Sequence, residues 1–413
     1  MRPSGAPGRA TPRGEPDSAF GVIIVVFLAC LLLESAAPGD QRARYAKYLL
    51  PWIAFGITAP LAPPAAPSTF ARRTLRRFLV LASVGVAASV AVGLLRHAPS
   101  GRALDEAYLV LAPLVTAYLI FPSLRVERIP IYADWLFLGT IAAYLIERGG
   151  AIASFVSDLG GVWHQLLTST SPTESGAAFV FGLFTLYYLL TGRRRRASCA
   201  ALFMLLGFKR IAMLATLMCA LLWVLLPAMR AEPPRRWRTI AFVALLVNAI
   251  ILVGLYQLSI GGLDEIISAQ TGMSSEWFTM GRESLYAELF RTFDITWSGS
   301  GLGTTMSHFM ATHGELENAH SDVIKYTIEA GPLVAAAWLW GFYRLARGAA
   351  AALLLAVYTN ILFVTDNVSI YFWFMFVFYV LVGLASVRAE QRLGRELTRT
   401  RRGRSGCARP PAG

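Results

Sequence analysis

About twelve apolar runs succeed one another along this chain, separated by short clusters of arginine, and almost nothing except a helical membrane protein is compatible with that pattern. The runs lie at 18–34, 46–63, 78–95, 106–123, 131–147, 177–191, 197–208, 211–229, 239–260, 325–343, 348–365 and 368–387. A helix rises about 1.5 Å per residue, so about 20 mainly apolar residues are needed to cross the hydrocarbon of a bilayer. Composition agrees: 55% of the residues are hydrophobic and only 15% charged, where soluble domains carry roughly 25% charged residues. The sequence therefore predicts an all-α integral membrane protein with about twelve transmembrane helices.

The arginines then set the topology. Clusters stand at Arg72, Arg73, Arg76 and Arg77, at Arg125 and Arg128, at Arg193 to Arg196, at Arg230, Arg235, Arg236 and Arg238, at Arg344 and Arg347, and in the tail beyond Val387. If basic loops stay in the cytoplasm, all of these fall on one side and both termini are cytoplasmic. The net charge of +13, which on a soluble chain would point to nucleic acid, is read here as a topology signal, with no nucleic-acid partner. The N-terminal run is preceded by Arg2, Arg9 and Arg13 and followed by Ser35, Ala36 and Ala37, a weak resemblance to a cleavage site. An uncleaved signal anchor is preferred over a cleaved peptide because the rest of the chain is equally membrane-like.

Parity places two loops outside, 148–176 and the much longer 261–324, and it requires two short crossings between 197 and 229 that bring Lys209 and Arg210 to the outer face. Snorkelling at a helix end is the ordinary alternative for those two cations. The expected organisation is a basic cytoplasmic tail over 1–17, transmembrane helices over 18–260, an extracytoplasmic catalytic loop over 261–324, further transmembrane helices over 325–387 and a cytoplasmic arginine-rich tail over 388–413. Long loops are uncommon and often functional. Within this one, Glu283 to Phe293 carries Leu285, Leu289, Phe290 and Phe293 at helical spacing, Gly299, Gly301 and Gly303 read as a flexible turn region, and Asp322 to Ala330 reads as a second helix ended by Gly331 and Pro332.

No phosphate-binding loop, dinucleotide fingerprint or HExxH zinc signature occurs, and Cys30, Cys199, Cys219 and Cys407 have no metal-ligand spacing, so no metal or cofactor is expected. The uncommon side chains of the outer loop are Arg282, Arg291, His308, His313 and His320, with Glu315, Glu317 and Asp322 near the last histidine. His320 stands out because it precedes a helix that re-enters the membrane. Asp322, Lys325 and Glu329 share a helical face, most simply as an intrahelical ion-pair ladder. His308 and His313 read as solvated loop residues.

Taken in order, Gly301 and Gly303, then Glu317, His320 and Asp322, then Glu329 and Gly331 leading into a membrane helix, resemble the O-antigen polymerase and O-antigen ligase superfamily of multi-spanning bacterial glycosyltransferases. Upstream, Gly281, Arg282 and Tyr286 look like that family's loop arginine and following aromatic, and Lys209 with Arg210 looks like its second arginine at a helix head. The resemblance covers roughly residues 180–345. Two departures are visible: Ser321 follows the histidine where many members have asparagine, and Lys209 stands where many have serine. His320, Ser321 and Asp322 together with Thr365, Asp366 and Asn367 before Tyr371 resemble the polymerase branch more than the ligase branch.

The resemblance implies metal-independent glycosyl transfer from an undecaprenyl-diphosphate-linked oligosaccharide to a sugar hydroxyl at the outer face of the bacterial inner (cytoplasmic) membrane. Partners would be membrane lipid and the pathway's chain-length regulator and flippase. His320, Arg282 and Arg210 would be catalytic, and Lys209, Arg291, Tyr286, Glu317 and Asp322 would bind substrate. Arginine suits a diphosphate leaving group because its planar fork donates two hydrogen bonds and stays charged. Histidine, with a reference pKa of about 6.5, suits proton removal from the attacking hydroxyl, although Glu317 or Asp322 could orient the ring or replace it. Transfer to a lipid A-core or protein acceptor, and transport of lipid-linked sugars without reaction, are the alternatives.

Overall fold

The computed structural model describes residues 19–61, 70–96, 101–157, 171–229, 236–272, 274, 281–314 and 319–406. The basic segment 1–17, Glu315, Glu317 and Cys407 lie outside these. Among the described residues every regular element is helical and there is no strand. In chain order the main helices are α1 (Ala19–Ala36), α2 (Leu50–Leu61), α3 (Phe70–Arg96), α4 (Gly101–Ile120), α5 (Ile129–Ser157), α6 (Ala177–Leu190), α7 (Arg194–Leu206) and α8 (Arg210–Leu225). They continue with α9 (Trp237–Ser259), α10 (Asp264–Thr271), α11 (Arg282–Thr292), α12 (Thr304–His313), α13 (Asp322–Glu329), α14 (Pro332–Ala346), α15 (Ala350–Thr365) and α16 (Phe372–Gly406).

Among the described residues six stretches are long and apolar enough to cross a membrane: Ala19–Ala36, Phe70–Arg96, Arg102–Ser123, Val126–Ala153, Trp237–Ser259 and Phe372–Glu396. The other expected spans are shorter helices, because the apolar runs of the sequence include connectors as well as helix. Helices α6, α8 and α15 have 14, 16 and 16 residues, and at about 1.5 Å per residue each falls short of a full bilayer crossing on its own. The run 325–343 is divided between α13 and α14, which meet at Gly331, with Pro332 opening the second helix. Proline fits there because the first helical residue has no intrahelical use for its N–H. Helix α16 runs on to Gly406, so the expected tail from 388 begins as a continuation of that helix.

The core forms around α16, whose most apolar stretch is 89% buried, whereas those of α3 and α9 are only 17% buried. Aromatic rings fill the centre: Phe342 stacks on Phe378 at 4.8 Å, and Trp338 packs between Phe342 and Phe363. A hydrogen bond of 3.0 Å from Asn248 to Asn360 links α9 to α15 inside this core. Exposed Val80 and Val84 on α3, and Phe242 and Val243 on α9, present apolar side chains outward.

The glycine segment expected to be flexible is instead packed backbone against backbone. Gly299, Gly301 and Gly303 all have positive φ. Ser300 N donates to Ile328 O at 2.8 Å, Gly301 N donates to Glu329 O at 2.9 Å, and the Ser89 hydroxyl donates to the same Glu329 carbonyl at 2.9 Å. A Cβ on Gly301, at φ +108°, would lie 2.4 Å from the Cα of Gly93. Gly301→Ala is therefore expected to cost about 1–3 kcal/mol from overpacking alone, read as a lowered thermal midpoint of the purified protein. Gly254→Ala should be neutral or slightly stabilising, because nothing lies within 4 Å of that helical glycine. Equal midpoints for the two variants would contradict the packing described here.

Candidate functional site

The site is assembled on the segment that joins α15 to α16. Asp366 ends α15, and its side chain accepts the Tyr371 hydroxyl at 2.8 Å and the Asn367 backbone N–H at 2.7 Å. Helix α13 docks on this segment through Asp322, which accepts from Ser369 N at 2.9 Å, from the Ser369 hydroxyl at 2.5 Å and from Asn367 Nδ2 at 3.3 Å. The Tyr326 hydroxyl also donates to Ser369 at 2.7 Å. Burial pushes the Asp322 carboxyl up, to about 7, against the opposing pull of the Ser369 hydrogen bonds and Lys325.

Helix α11 reaches the same segment from the long stretch 261–324. Arg282, its first residue, donates from Nη1 to the carbonyl oxygen of Thr365 at 2.8 Å. One turn on, Tyr286 is buried beside the guanidinium, and burial holds its phenol above the ordinary value while Arg282 pulls it the other way. A third approach comes from α8, which opens on Arg210 with Lys209 as the extended residue before it. Lys209 forms an ion pair of 2.5 Å with Glu174 and stands 6.0 Å over the Phe179 ring. Phe179 stacks on Tyr371 at 6.4 Å, and the Tyr358 hydroxyl holds its carbonyl at 2.9 Å.

Arg282 thus contacts the polar segment at Thr365, and Lys209 approaches it through Phe179, which stacks on Tyr371. Arg282 and Arg210 each occupy a first helical position, where the helix dipole disfavours a cation by about 0.3–1 kcal/mol and favours an anion. The helix dipole and the guanidinium act in the same direction at each of these two starts, beside the carboxylates of Glu174, Asp322 and Asp366.

His320 sits two residues before α13, half-buried, with φ +47°. Only one other non-glycine residue among those described has positive φ, and it is Phe208, immediately before Lys209. Backbone strain at non-glycine residues gathers at functional sites more than elsewhere, and here it marks the entry to two of the arms. Ala319 anchors the His320 turn in a small apolar cluster with Tyr286, Leu289, Phe309, Ile324 and Ile328. Ser321 caps α13 by accepting from Ile324 N at 3.3 Å.

The remaining expected residues fall elsewhere. Arg291 is exposed at the far end of α11, and nine residues at about 100° per residue turn it to the side opposite Arg282. His308 and His313 are not simply solvated. They lie on α12, and their Nε2 atoms meet the two oxygens of Glu288 at 2.7 and 2.9 Å, tying α12 to α11. Burial alone would raise the Glu288 carboxyl, but the hydrogen bonds from His313 and His308 outweigh it and hold the group below its ordinary value. A depressed carboxylate stabilises above the unfolded pKa, and that contribution disappears as pH falls through the folded one. Hydrogen exchange across α11 is expected to rise below about pH 4.5, whereas Glu288→Gln should raise it already at neutral pH and flatten the acid response. An identical exchange profile for variant and parent would rule the tether out.

Sequence reasoning missed Glu106. The three charges of α13 do not form a ladder with one another. Lys325 pairs with Glu106 of α4 at 2.6 Å, both side chains being 2% exposed, and Glu329 accepts from Thr305 N at 3.1 Å and from the Thr305 hydroxyl at 2.5 Å. A signal was present: the expected spans 106–123 and 325–343 each begin on a charge, the two charges are opposite, and parity sends both to the same face. Among the described residues no group of three or more histidine, cysteine or acidic side chains could hold a metal ion.

Cavities border the assembly. One of about 230 Å³ opens beside Tyr371 and Ser175, with Tyr144 and Glu147 in its wall. Another of about 140 Å³ is apolar, lies between α9, α13, α14 and α15, and has Asp322 and Tyr326 in its lining. No protein family, curated protein or solved structure matches this chain.

Proposed function

We propose that the chain is a membrane glycosyltransferase that polymerises undecaprenyl-diphosphate-linked oligosaccharide repeat units at the outer face of a bacterial inner membrane. The observation that carries this reading is the approach of two basic helix starts, Arg282 directly and Lys209 (the residue before Arg210) by way of Phe179, to the polar segment from Thr365 to Tyr371. A diphosphate is the anion that such an arrangement suits, because charge grows on its oxygens as the glycosidic bond breaks. Two unit charges about 4 Å apart gain roughly 4 kcal/mol at an effective dielectric of about 20. The apolar cavity beside Asp322 opens towards α9, one of the two most exposed spans, and suits the start of an isoprenoid tail.

In the proposed reaction the acceptor hydroxyl attacks the anomeric carbon of the donor sugar, a new C–O bond forms, and the bond from that carbon to the diphosphate oxygen breaks. The electron pair leaves on the diphosphate, where Arg282 and Arg210 receive it. The hydroxyl proton passes to His320. Asp322, held by Ser369 and Asn367, fixes the start of α13 and so the turn that carries His320. The twelve-span topology, cytoplasmic termini and the outer placement of 261–324 belong to this proposal.

Glycans of cells lacking the protein test it. Accumulated single lipid-linked repeat units are the expected result. Long lipid-linked polymer that never reaches its final acceptor would assign a ligase instead, and an unchanged glycan profile would remove glycosyl transfer altogether.

A further inference from the structure

At the end of the bundle remote from this site, four arginines from three helices converge with no acid among them. Arg77 comes from the N-terminal part of α3, Arg238 from the start of α9, and Arg344 and Arg347 from the end of α14. Arg347 is the innermost. Its guanidinium carbon lies 5.3 Å from the centre of the Phe70 ring and 6.0 Å from that of Trp237, and its Nε is buried without a hydrogen-bond partner. Arg238 stands 5.8 Å over Trp237, which in turn packs on Trp340 at 5.4 Å. Burial lowers the pKa of Arg347, and the charges of Arg344, Arg77 and Arg238 lower it further. Among the described residues none of the four forms an ion pair. Glu390, the acid close by, accepts the backbone N–H of Phe70 at 3.3 Å.

Four like charges held together in this way call for an anion. The surroundings say which kind. Phe70, Trp237 and Trp340 form an aromatic shelf of the type that sits at headgroup level, and below it α3 and α9 are the two least-buried spans, with Val80, Val84, Phe242 and Val243 exposed. Acyl chains can lie along those side chains while a phosphate meets the guanidiniums. We propose that Arg77, Arg238, Arg344 and Arg347 form a binding site for the phosphodiester headgroup of an anionic membrane phospholipid. Arg347 contributes from within, stacked on the shelf, and the three exposed arginines close over the phosphate. The site is independent of the glycosyl-transfer reading.

Native mass spectrometry of the full-length protein, offered phosphatidylglycerol and phosphatidylcholine together, tests it. Retention of phosphatidylglycerol is expected to exceed that of phosphatidylcholine about tenfold. Replacing all four arginines by glutamine should bring the ratio close to one, while the control Arg194→Gln/Arg195→Gln, which removes two exposed arginines outside the cluster, should leave it unchanged. Displacement of the lipid by inorganic phosphate would make this a soluble-anion site and overturn the proposal. Should the fourfold variant fail to fold, brominated phosphatidylglycerol is expected to quench the tryptophan fluorescence of the unaltered protein more than brominated phosphatidylcholine, and Trp237→Phe to abolish that difference. Equal retention or equal quenching by the two lipids overturns the assignment.

Discussion

Lys325→Met is expected to destabilise the protein by about 3–5 kcal/mol, because it strands the Glu106 carboxylate in a site from which water is excluded. The pair is 2.6 Å apart and each side chain is 2% exposed, so neither charge has solvent to fall back on. Glu329 is part of the same enclosure, and without the ammonium two acids would face each other there. The pair joins α13 to α4, and α13 also holds α12 through Glu329 and Thr305, so its loss should free the whole α12–α13 assembly, not one contact. Removing both charges together tests the cause. Lys325→Met with Glu106→Met should recover most of the loss, since a well-packed apolar replacement of a buried pair is often neutral. Thermal midpoints of the purified variants distinguish the outcomes: a single variant as stable as the parent, or a double variant no better than the single one, would refute the account.

Which parts of this molecule could be read from sequence follows from the range of the interactions involved. Helix α11 was legible because Leu285, Leu289, Phe290 and Phe293 repeat at helical spacing, and the break between α13 and α14 was legible because Gly331 and Pro332 act locally. Helix α12 was not. Its sequence mixes threonine, serine and histidine with few apolar residues, and what holds it is Glu288 from one neighbour and Thr305 to Glu329 with another. The glycines at 299, 301 and 303 illustrate a different ambiguity. Glycine permits both free turning and close backbone approach, and only the positions of Gly93 and Glu329 decide for the second. Fewer full-length helices than apolar runs are seen because hydropathy sums over connectors: the run 325–343 joins the end of α13 to α14 across Gly331. Arg282 and Tyr286 were each singled out in the sequence as site residues, and they are adjacent in the structure. Phe179, which lies between Lys209 and Tyr371, carries no chemical signature of its own.

The largest expected effect on activity is loss of polymer formation by about 10²–10³-fold in Arg282→Ala, a magnitude typical for removing one donor to a developing oxyanion. The design of the second substitution has to separate chemistry from backbone. His320 has φ +47°, and alanine there would add conformational strain to the lost imidazole. Asparagine tolerates the left-handed region but offers no base, so His320→Asn should fold and insert as the parent does while losing about 10²–10⁴-fold in rate. Arg282→Lys keeps the charge but not the two-pronged donor, and an intermediate rate is expected because lysine meets phosphate only as a point charge. Arg291→Ala is the internal control: it removes an equal charge from the same helix on its exposed, opposite side and should be near neutral. Polymer length and yield from membranes carrying each variant, normalised to the amount of inserted protein, provide the comparison. If His320→Asn and Arg282→Ala both made full polymer, the guanidinium and imidazole would have no part in the reaction. If Arg291→Ala lost as much as Arg282→Ala, basic charge on α11 would matter by amount, and the contact of Arg282 with Thr365 would cease to explain why this arginine is placed where it is.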